Sequence, residues 1–416
     1  MLLAACGGSA PSRTPTPGAV DETATPTQVA ATATPRPPNA WYFAPATPLP
    51  ADVALWIERG CWQCDAPPEQ VDLAVGRGSG RSAIRPLLPK LNELNRYYAN
   101  VRFAPGGSEG YAMVCSRGYC GGVGQISPDA QNTLRRTRDG GITWEDVGTF
   151  DGMVGIAAVT PDGPIIVRTL VVSPGGLRSA LTLLDGKTAV TPPSPGAGLI
   201  GRQPSATTLL WLATDRVTLL TSANEIVFRL ERGADPHPEL VLDVIAGTPD
   251  LRRLLVQWVT NDGIRYGLIR DGVLEREIRK PSESFAMFLG AWLEDDIIVA
   301  TVGGSPLSTQ GVVPALVNLQ TLEITPLAID GPPNAAVAWA RSLVLAAAKG
   351  PFVTASTAGD CLNVRESPVA TAATYGCFRD GTPFRVRESP EAGAAWIAVF
   401  APDGRPGWVN AQFVEK

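Results

Sequence analysis

Seven cysteines and one histidine bound the chemistry open to this chain of 416 residues. With Cys6 set aside, Cys61, Cys64, Cys115, Cys120, Cys361 and Cys377 make an even count, which suits an oxidising compartment. Cys61-Trp62-Gln63-Cys64 is a C-x-x-C, and Cys115 and Cys120 flank Ser116-Arg117-Gly118-Tyr119, a short loop they could close. The favoured reading of these four is structural disulfides, within each pair or crossed between them. Four thiolates could also hold zinc, but the second pair lacks C-x-x-C spacing and secreted thiols oxidise. A redox dithiol is disfavoured because no βαβ pattern surrounds Cys61 and Cys64. His237 stands between Pro236 and Pro238 in a polar segment, and any Ser-His-Asp or Cys-His mechanism would have to rest on it. A solvated loop histidine is the better reading. Gly76-Arg77-Gly78-Ser79-Gly80 follows an apolar stretch, yet its spacing is wrong for a dinucleotide fingerprint. The 40 acidic residues could supply a carboxylate pair, but none stands in a recognisable context. We therefore assign no catalytic residue, no metal site and no cofactor.

The elements around these residues read as strands. Short β-branched runs from residue 52 to 355 are broken by Asp-Gly pairs such as Asp139-Gly140, Asp151-Gly152, Asp162-Gly163 and Asp271-Gly272. Both residue types accept the positive φ that tight hairpins demand. Amphipathic helical periodicity is scarce, and only Leu87 to Tyr98 could hold a short helix, with Pro86 and Pro89 restricting its start. The turns recur roughly every 45 residues, each leading into an apolar run, a period that suits four-strand propeller blades. The runs are Tyr111 to Val114, Ile165 to Val167, Leu209 to Trp211, Leu254 to Val256, Ile297 to Val299 and Leu343 to Leu345. The expected fold class is all-β, with a six- or seven-bladed propeller, seven favoured; a pair of β-sandwiches would not show one constant period.

Thr137-Arg138-Asp139-Gly140-Gly141-Ile142-Thr143-Trp144 fits the pattern S/T-x-D-x-G-x-T-W. It resembles the Asp-box, a hairpin turn of sialidase-type and other propellers, and the strand–turn–strand pattern resembles WD40-like blades. The resemblance implies structural roles for Thr137, Asp139, Gly141, Thr143 and Trp144. Asp139 should accept backbone N–H groups inside the turn, Gly141 should take positive φ, and Trp144 should pack on a neighbouring strand. The enzyme alternative is a sialidase-like glycoside hydrolase. The early Arg-Ile-Pro signature of that family is absent, because Ala83-Ile84-Arg85-Pro86 has the order wrong.

The last stretch reads Cys361-Leu362-Asn363-Val364-Arg365-Glu366-Ser367-Pro368, then Gly376-Cys377, Asp380-Gly381, Trp396 and Gly407-Trp408-Val409-Asn410. In order and spacing it resembles the bacterial SH3 (SH3b) family, small barrels often appended to cell-envelope proteins. The resemblance implies a disulfide between Cys361 and Cys377 across the first two strands, worth roughly 3 kcal/mol in a thin core. It places Leu362, Val364, Trp396 and Val409 in the core and Gly407 at a turn before the last strand. Asn363, Arg365, Tyr375, Trp396 and Trp408 are the candidates for ligand contact. Val-Arg-Glu-Ser-Pro recurs at Val386 to Pro390, but with one Gly-Trp-Val ending we read one domain.

Leu3-Ala4-Ala5-Cys6 resembles the lipobox of bacterial lipoproteins, which implies lipidation of Cys6. A full signal carries a basic region and roughly 7–15 apolar residues, so the true start is expected upstream. Residues 7–50 are rich in Pro, Thr, Ala and Ser and cannot bury enough surface to offset chain entropy. The expected layout is thus a signal remnant (1–6), a disordered tether (7–50), a propeller (51–354) and an SH3b domain (355–416). No apolar run is long enough to span a membrane, so attachment is expected through the lipid alone. A net charge of −5 argues against nucleic acid. The expected protein is a non-catalytic, lipid-anchored binding or scaffold protein at the cell surface. Its partner is peptidoglycan or an envelope protein; its oligomeric state is not legible.

Overall fold

The computed structural model describes residues 39–416 apart from 62–69, 77–81, 89–97, 119–129, 173–175, 232–241, 283–284, 305–307, 330–339 and 402–404, and positions 108, 153, 161–162, 186, 201–202, 206, 262, 389 and 416. Two short strands, β1 (Tyr42–Phe43) and β2 (Thr47–Pro48), lead into a meander of β3 (Val53–Cys61), β4 (Gln70–Gly76) and β5 (Ser82–Leu88). Next come the four-stranded sheet β6 (Tyr98–Phe103), β7 (Gly110–Arg117), β8 (Gln131–Thr137), β9 (Glu145–Asp151) and the three-stranded sheet β10 (Val154–Thr160), β11 (Gly163–Val172), β12 (Gly176–Thr182). Two more four-stranded sheets follow: β13 (Gly198–Leu199), β14 (Leu210–Leu212), β15 (Thr218–Thr221), β16 (Ile226–Arg229), then β17 (Asp243–Gly247), β18 (Arg253–Thr260), β19 (Gly263–Arg270), β20 (Val273–Arg279). The strands β21 (Ala286–Glu294), β22 (Ile297–Gly304), β23 (Ser308–Asn318) and β24 (Glu323–Ala328) form a further meander. Then β25 (Ala340–Lys349) returns to pair antiparallel with β3.

The arrangement is propeller-like. The first strands of successive sheets lie side by side: β6 against β10, β17 against β21, β21 against β25, and β25 against β6. A late strand, β25, completes the first meander and closes the circle. Counted by hydrogen bonding, however, the described strands give five such sheets rather than the six or seven blades expected. The cause is a single parallel bridge, Val312↔Arg341, which fuses β21–β24 with β25–β3–β4–β5 into one ten-stranded sheet. The sequence period counts meanders, and two of them share this sheet.

Local chemistry explains the turns. Asp271 and Gly272 sit at φ 50° and 78° between the paired residues Arg270 and Val273, a two-residue hairpin loop that needs left-handed backbone at both positions. The possible helix from Leu87 does not form where it can be seen. Leu87 and Leu88 are buried in β5, Tyr98 opens β6, and 89–97 lie outside the described residues. Pairing of Leu88 with Val71 wins over the local pattern. Pro86 is tolerated because β5 is the outer strand of its meander.

Seven strands follow: β26 (Phe352–Ala355), β27 (Cys361–Arg365), β28 (Thr374–Arg379), β29 (Pro383–Val386), β30 (Trp396–Phe400), β31 (Pro406–Asn410) and β32 (Val414–Glu415). They form one sheet in the order β28-β27-β31-β30-β29-β26-β32. Its core is its own: Val353, Leu362, Val364, Phe378, Phe384, Val386, Ile397, Val399 and Val409 pack together. Phe378 and Phe384 meet edge to face at 5.5 Å. Among the described residues no helix is long and apolar enough to cross a membrane.

Candidate functional site

Side chains alternate across a strand, so the residues between those core positions must face outward. On β27 these are Cys361, Asn363 and Arg365; on β30, Trp396, Ala398 and Phe400; on β31, Trp408. Arg385 and Arg387 take the same face around Val386. The register brings them together. Arg365 pairs with Trp408, Trp408 pairs with Ala398, and the Arg387 N–H donates to the Ala398 carbonyl at 2.9 Å. One row, Arg365–Trp408–Ala398–Arg387, therefore crosses four strands. Phe400 lies opposite both Arg385 and Pro406, and Trp396 opposite Asn410.

Ala398 is only 5% exposed although it lies on the outer face. The larger side chains beside it, Trp396 and Phe400 along its own strand and Trp408 and Arg387 across it, cover its methyl group. Trp396, Phe400 and Trp408 are themselves half-buried. The Arg385 guanidinium stacks over the Phe400 ring at 4.6 Å and that of Arg387 at 5.6 Å, contacts that favour a cation over an aromatic face. Arg387 also has Glu388 at 3.9 Å. Arg365 donates to the Ala372 carbonyl at 2.7 Å. Among the described residues, neither Arg365 nor Arg385 has a carboxylate partner.

Four of the five ligand candidates, Asn363, Arg365, Trp396 and Trp408, share this face. Tyr375 does not. It packs on the core side, and the Arg405 guanidinium covers its ring at 5.1 Å. Two further expectations are corrected. Trp396 lies on the outer face, outside the core cluster that holds Leu362, Val364 and Val409. Gly407 is not at a turn but inside β31. A Cβ there would stand 2.5 Å from Val364 Cγ1 and 3.1 Å from Tyr375 Cε2, so close approach and not backbone freedom requires the glycine. Sequence reasoning missed Ala398, Arg385, Arg387 and Phe400. The signal available was the recurrence of Val-Arg-Glu-Ser-Pro, which sets Arg365 and Arg387 at the two ends of one row.

Cys361 and Cys377 form a disulfide with Cα atoms 5.3 Å apart, between the adjacent strands β27 and β28. Cys115 is also disulfide-bonded, which removes it from any four-thiolate zinc set. The side chains of Cys61, Cys64 and Cys120, together with Cys6, His237 and residues 77–80 of the glycine-rich run, lie outside the described residues. Among the described residues no group of three or more His, Cys, Asp and Glu could hold a metal ion.

The turn after β8 is tightly wired. Thr137 Oγ1 donates to Asp139 Oδ1 at 2.8 Å and accepts the Gly141 N–H at 2.7 Å. Asp139 also accepts the Thr143 N–H at 2.9 Å and its hydroxyl at 2.6 Å. Gly141 stands at φ 96°. Trp144 Nε1 donates to the Gly141 carbonyl at 2.8 Å, and its ring meets Phe103 of β6 edge-on. Trp56 of β3 reaches across to donate to the Gly140 carbonyl at 2.9 Å, a buried bond. The turn thus locks the first meander to the second sheet, and its carboxylate is consumed by the Thr143 N–H and the Thr137 and Thr143 hydroxyls.

No family model matches the chain, and no curated protein matches it. Among solved structures, a putative TolB from Agrobacterium tumefaciens is 14% identical, with a TM-score of 0.36, over 70% of this chain and 97% of that one. TolB from Acinetobacter baumannii is 12% identical, with a TM-score of 0.29, over 88% of this chain and 65% of that one. An ancestral GH74 enzyme is 13% identical, with a TM-score of 0.28, over 88% of this chain and 50% of that one. Likeness at this level says nothing about ligand or activity.

Proposed function

We propose that this is a non-catalytic binding protein of the cell envelope. In this reading it is lipidated at Cys6, carried on the tether 7–50, and presents two modules: the propeller of residues 51–354 and an SH3b-type domain of residues 355–416. The turn at Thr137–Trp144 is read as an Asp-box with a structural role. The C-terminal domain contacts the cell wall or an envelope protein, and the propeller offers a face to a second ligand. The observation that carries the reading is the outer row Arg365–Trp408–Ala398–Arg387. Half-buried aromatics and guanidiniums gathered on one sheet face suit recognition.

The test is sedimentation of the full chain with purified peptidoglycan, beside a Trp408→Ala variant whose folding is checked by circular dichroism. Sedimentation of the parent and its loss in the variant supports the reading. If the parent stays in solution and captures no envelope component either, the reading fails. Labelling with a fatty-acid analogue in a bacterial host, lost on Cys6→Ser, tests the anchor.

A further inference from the structure

We propose that Asn39–Leu49 is a mechanical clasp: it passes tension from the upstream chain to β20 and β24, and so keeps the ladder that closes the ring from being unzipped. The inference rests on the binding reading above, in which the chain is held at Cys6 and through its C-terminal domain, and it says how the folded part bears that tension.

The weak point is set by register. Val53 pairs with Lys349 at one end of the β3–β25 ladder, and Cys61 pairs with Ala340 at the other. The chain enters β3 and leaves β25 at the same end, that of Val53 and Lys349. Only Gly350 and Pro351 separate β25 from β26, and neither is slack. The Gly350 N–H donates to the Asp52 carbonyl at 2.8 Å, and the Pro351 carbonyl accepts the Val386 N–H at 2.7 Å. A pull on the C-terminal domain therefore arrives at Lys349. An opposing pull on Asp52 would part Lys349 from Val53 first, and then each pair in turn. Ladder bonds lie across the strands, so such a pull acts along a single pair at a time.

The segment before Asp52 prevents this by being fastened elsewhere. The Arg279 N–H donates to the Asn39 carbonyl at 2.9 Å, the Tyr42 N–H to the Leu322 carbonyl at 3.1 Å, and the Ala44 N–H to the Ile324 carbonyl at 2.9 Å. Tyr42 and Phe43 pair in parallel with Glu323 and Ile324, and the Tyr42 hydroxyl donates to the Glu323 carboxylate. Trp41 is 2% exposed and meets Tyr266 edge-on, and Phe43 meets Phe285 in the same way. All of these partners lie in or next to β19, β20, β21 and β24, and none in β3 or β25. Tension entering at Asn39 must therefore draw Trp41 from the core and break the Phe43 contact before it reaches Asp52.

The experiment stretches single molecules of the full chain between DNA handles in optical tweezers. One set carries handles at the two termini, so tension enters upstream of Asn39. A second set has the first handle on an azide-bearing residue in place of the exposed Ala51, past the clasp. The ring should open at lower force in the second set. In the first, release of the clasp should appear as a separate earlier step that lengthens the chain by at most about 45 Å, the reach of residues 39–51. Trp41→Ala combined with Phe43→Ala should shorten the closed lifetime at constant force at least about tenfold when tension enters at the terminus. The same variant should leave the lifetime unchanged when tension enters at position 51. Tyr42→Phe, which removes the hydroxyl, should act in the same direction by a smaller amount and serves if the double variant fails to fold. The proposal is overturned if both attachment points give the same opening force, or if the variants shorten the lifetime alike in both sets. Equal forces would leave the binding reading standing, because sedimentation tests that reading on an unstretched chain.

Discussion

Gly407 shows how one atom can set the face of a sheet. The strand β31 has room for no Cβ at this position, because Val364 Cγ1, the Arg365 carbonyl and the Tyr375 ring already fill the space. Gly407→Ala must therefore push β31 away from β27, and Trp408, the next residue, moves with it. Overpacking of this kind costs about 1–3 kcal/mol. Chemical denaturation should show that loss, and the fluorescence of Trp408 should shift in the folded state. Trp56 makes the complementary case. Its indole N–H is the partner of the buried Gly140 carbonyl. Trp56→Phe keeps most of the ring but orphans that carbonyl, so a loss of about 1–3 kcal/mol is expected on urea unfolding. A variant as stable as the parent would mean that the Asp139 turn stands without its anchor.

At the scale of elements, the turns carry a pH dependence. Asp185 accepts the Lys187 and Thr188 N–H groups at 2.8 Å, along with the Thr188 hydroxyl. Asp250 accepts the Thr248 hydroxyl at 2.6 Å and the Arg252 N–H at 3.1 Å. These bonds, the side-chain ones first, hold both carboxyls below their usual range. At Asp215, partial burial acts to raise the value, but bonds from Thr218 and Val217 outweigh it and the net shift is downward. A lowered carboxyl favours the folded state once it is ionised. That stability is present above the unfolded value near pH 4 and is lost as pH falls through the folded values. Asp243 works the other way, because burial raises it and its proton is held more tightly in the fold. Melting temperatures taken from pH 6 down to 2 should thus fall mainly below about pH 4, and Asp185→Asn should flatten part of that slope. The disulfide is the other element-scale support. Cys361 and Cys377 are separated by 16 positions in the chain, so removing both thiols should cost about 3 kcal/mol. The loss should appear first in the C-terminal sheet, reported by its two tryptophans.

The same elements show what was legible beforehand. The apolar runs and their period were readable because hairpin turns need Asp, Asn and Gly at fixed offsets from buried strands. Five of the six runs lie wholly in strands, β7, β11, β18, β22 and β25, and the sixth, Leu209 to Trp211, enters β14 at Leu210. Core positions of the C-terminal sheet were readable by period two, but Trp396 was not, since an aromatic residue fits either face and only the register with Asn410 decides. The cross-strand row was hidden for the same reason: Arg365 and Arg387 are 22 positions apart and become the two ends of one row only through three strand pairings.

For the whole molecule, the consequential choice is that the ring is closed by its last strand. Nine residues of β25, from Ala340 to Lys349 with one irregularity, pair with Val53 to Cys61 of β3. Lys349 then bridges Glu294 of β21 and Asp52 just before β3, tying the closure to both flanks. Without β25, the strand β3 would present Val53, Ala54, Leu55 and Ile57, all buried in the closed form, along an unpaired edge. Long apolar edges recruit other chains. Sequence alone placed a blade at residue 343 and did not show that its partner lies near residue 55, because pairing over such a separation leaves no local signal. It also makes folding slow, since the loop entropy of nearly the whole ring must be met before this contact forms. A chain ending at residue 339 should therefore elute as large oligomers or precipitate, while the full chain does not. Supplying β25 as a separate peptide, residues 340–350, should restore the compact species. If the truncated chain is as monodisperse and as stable as the parent, ring closure contributes nothing and the first meander stands by itself.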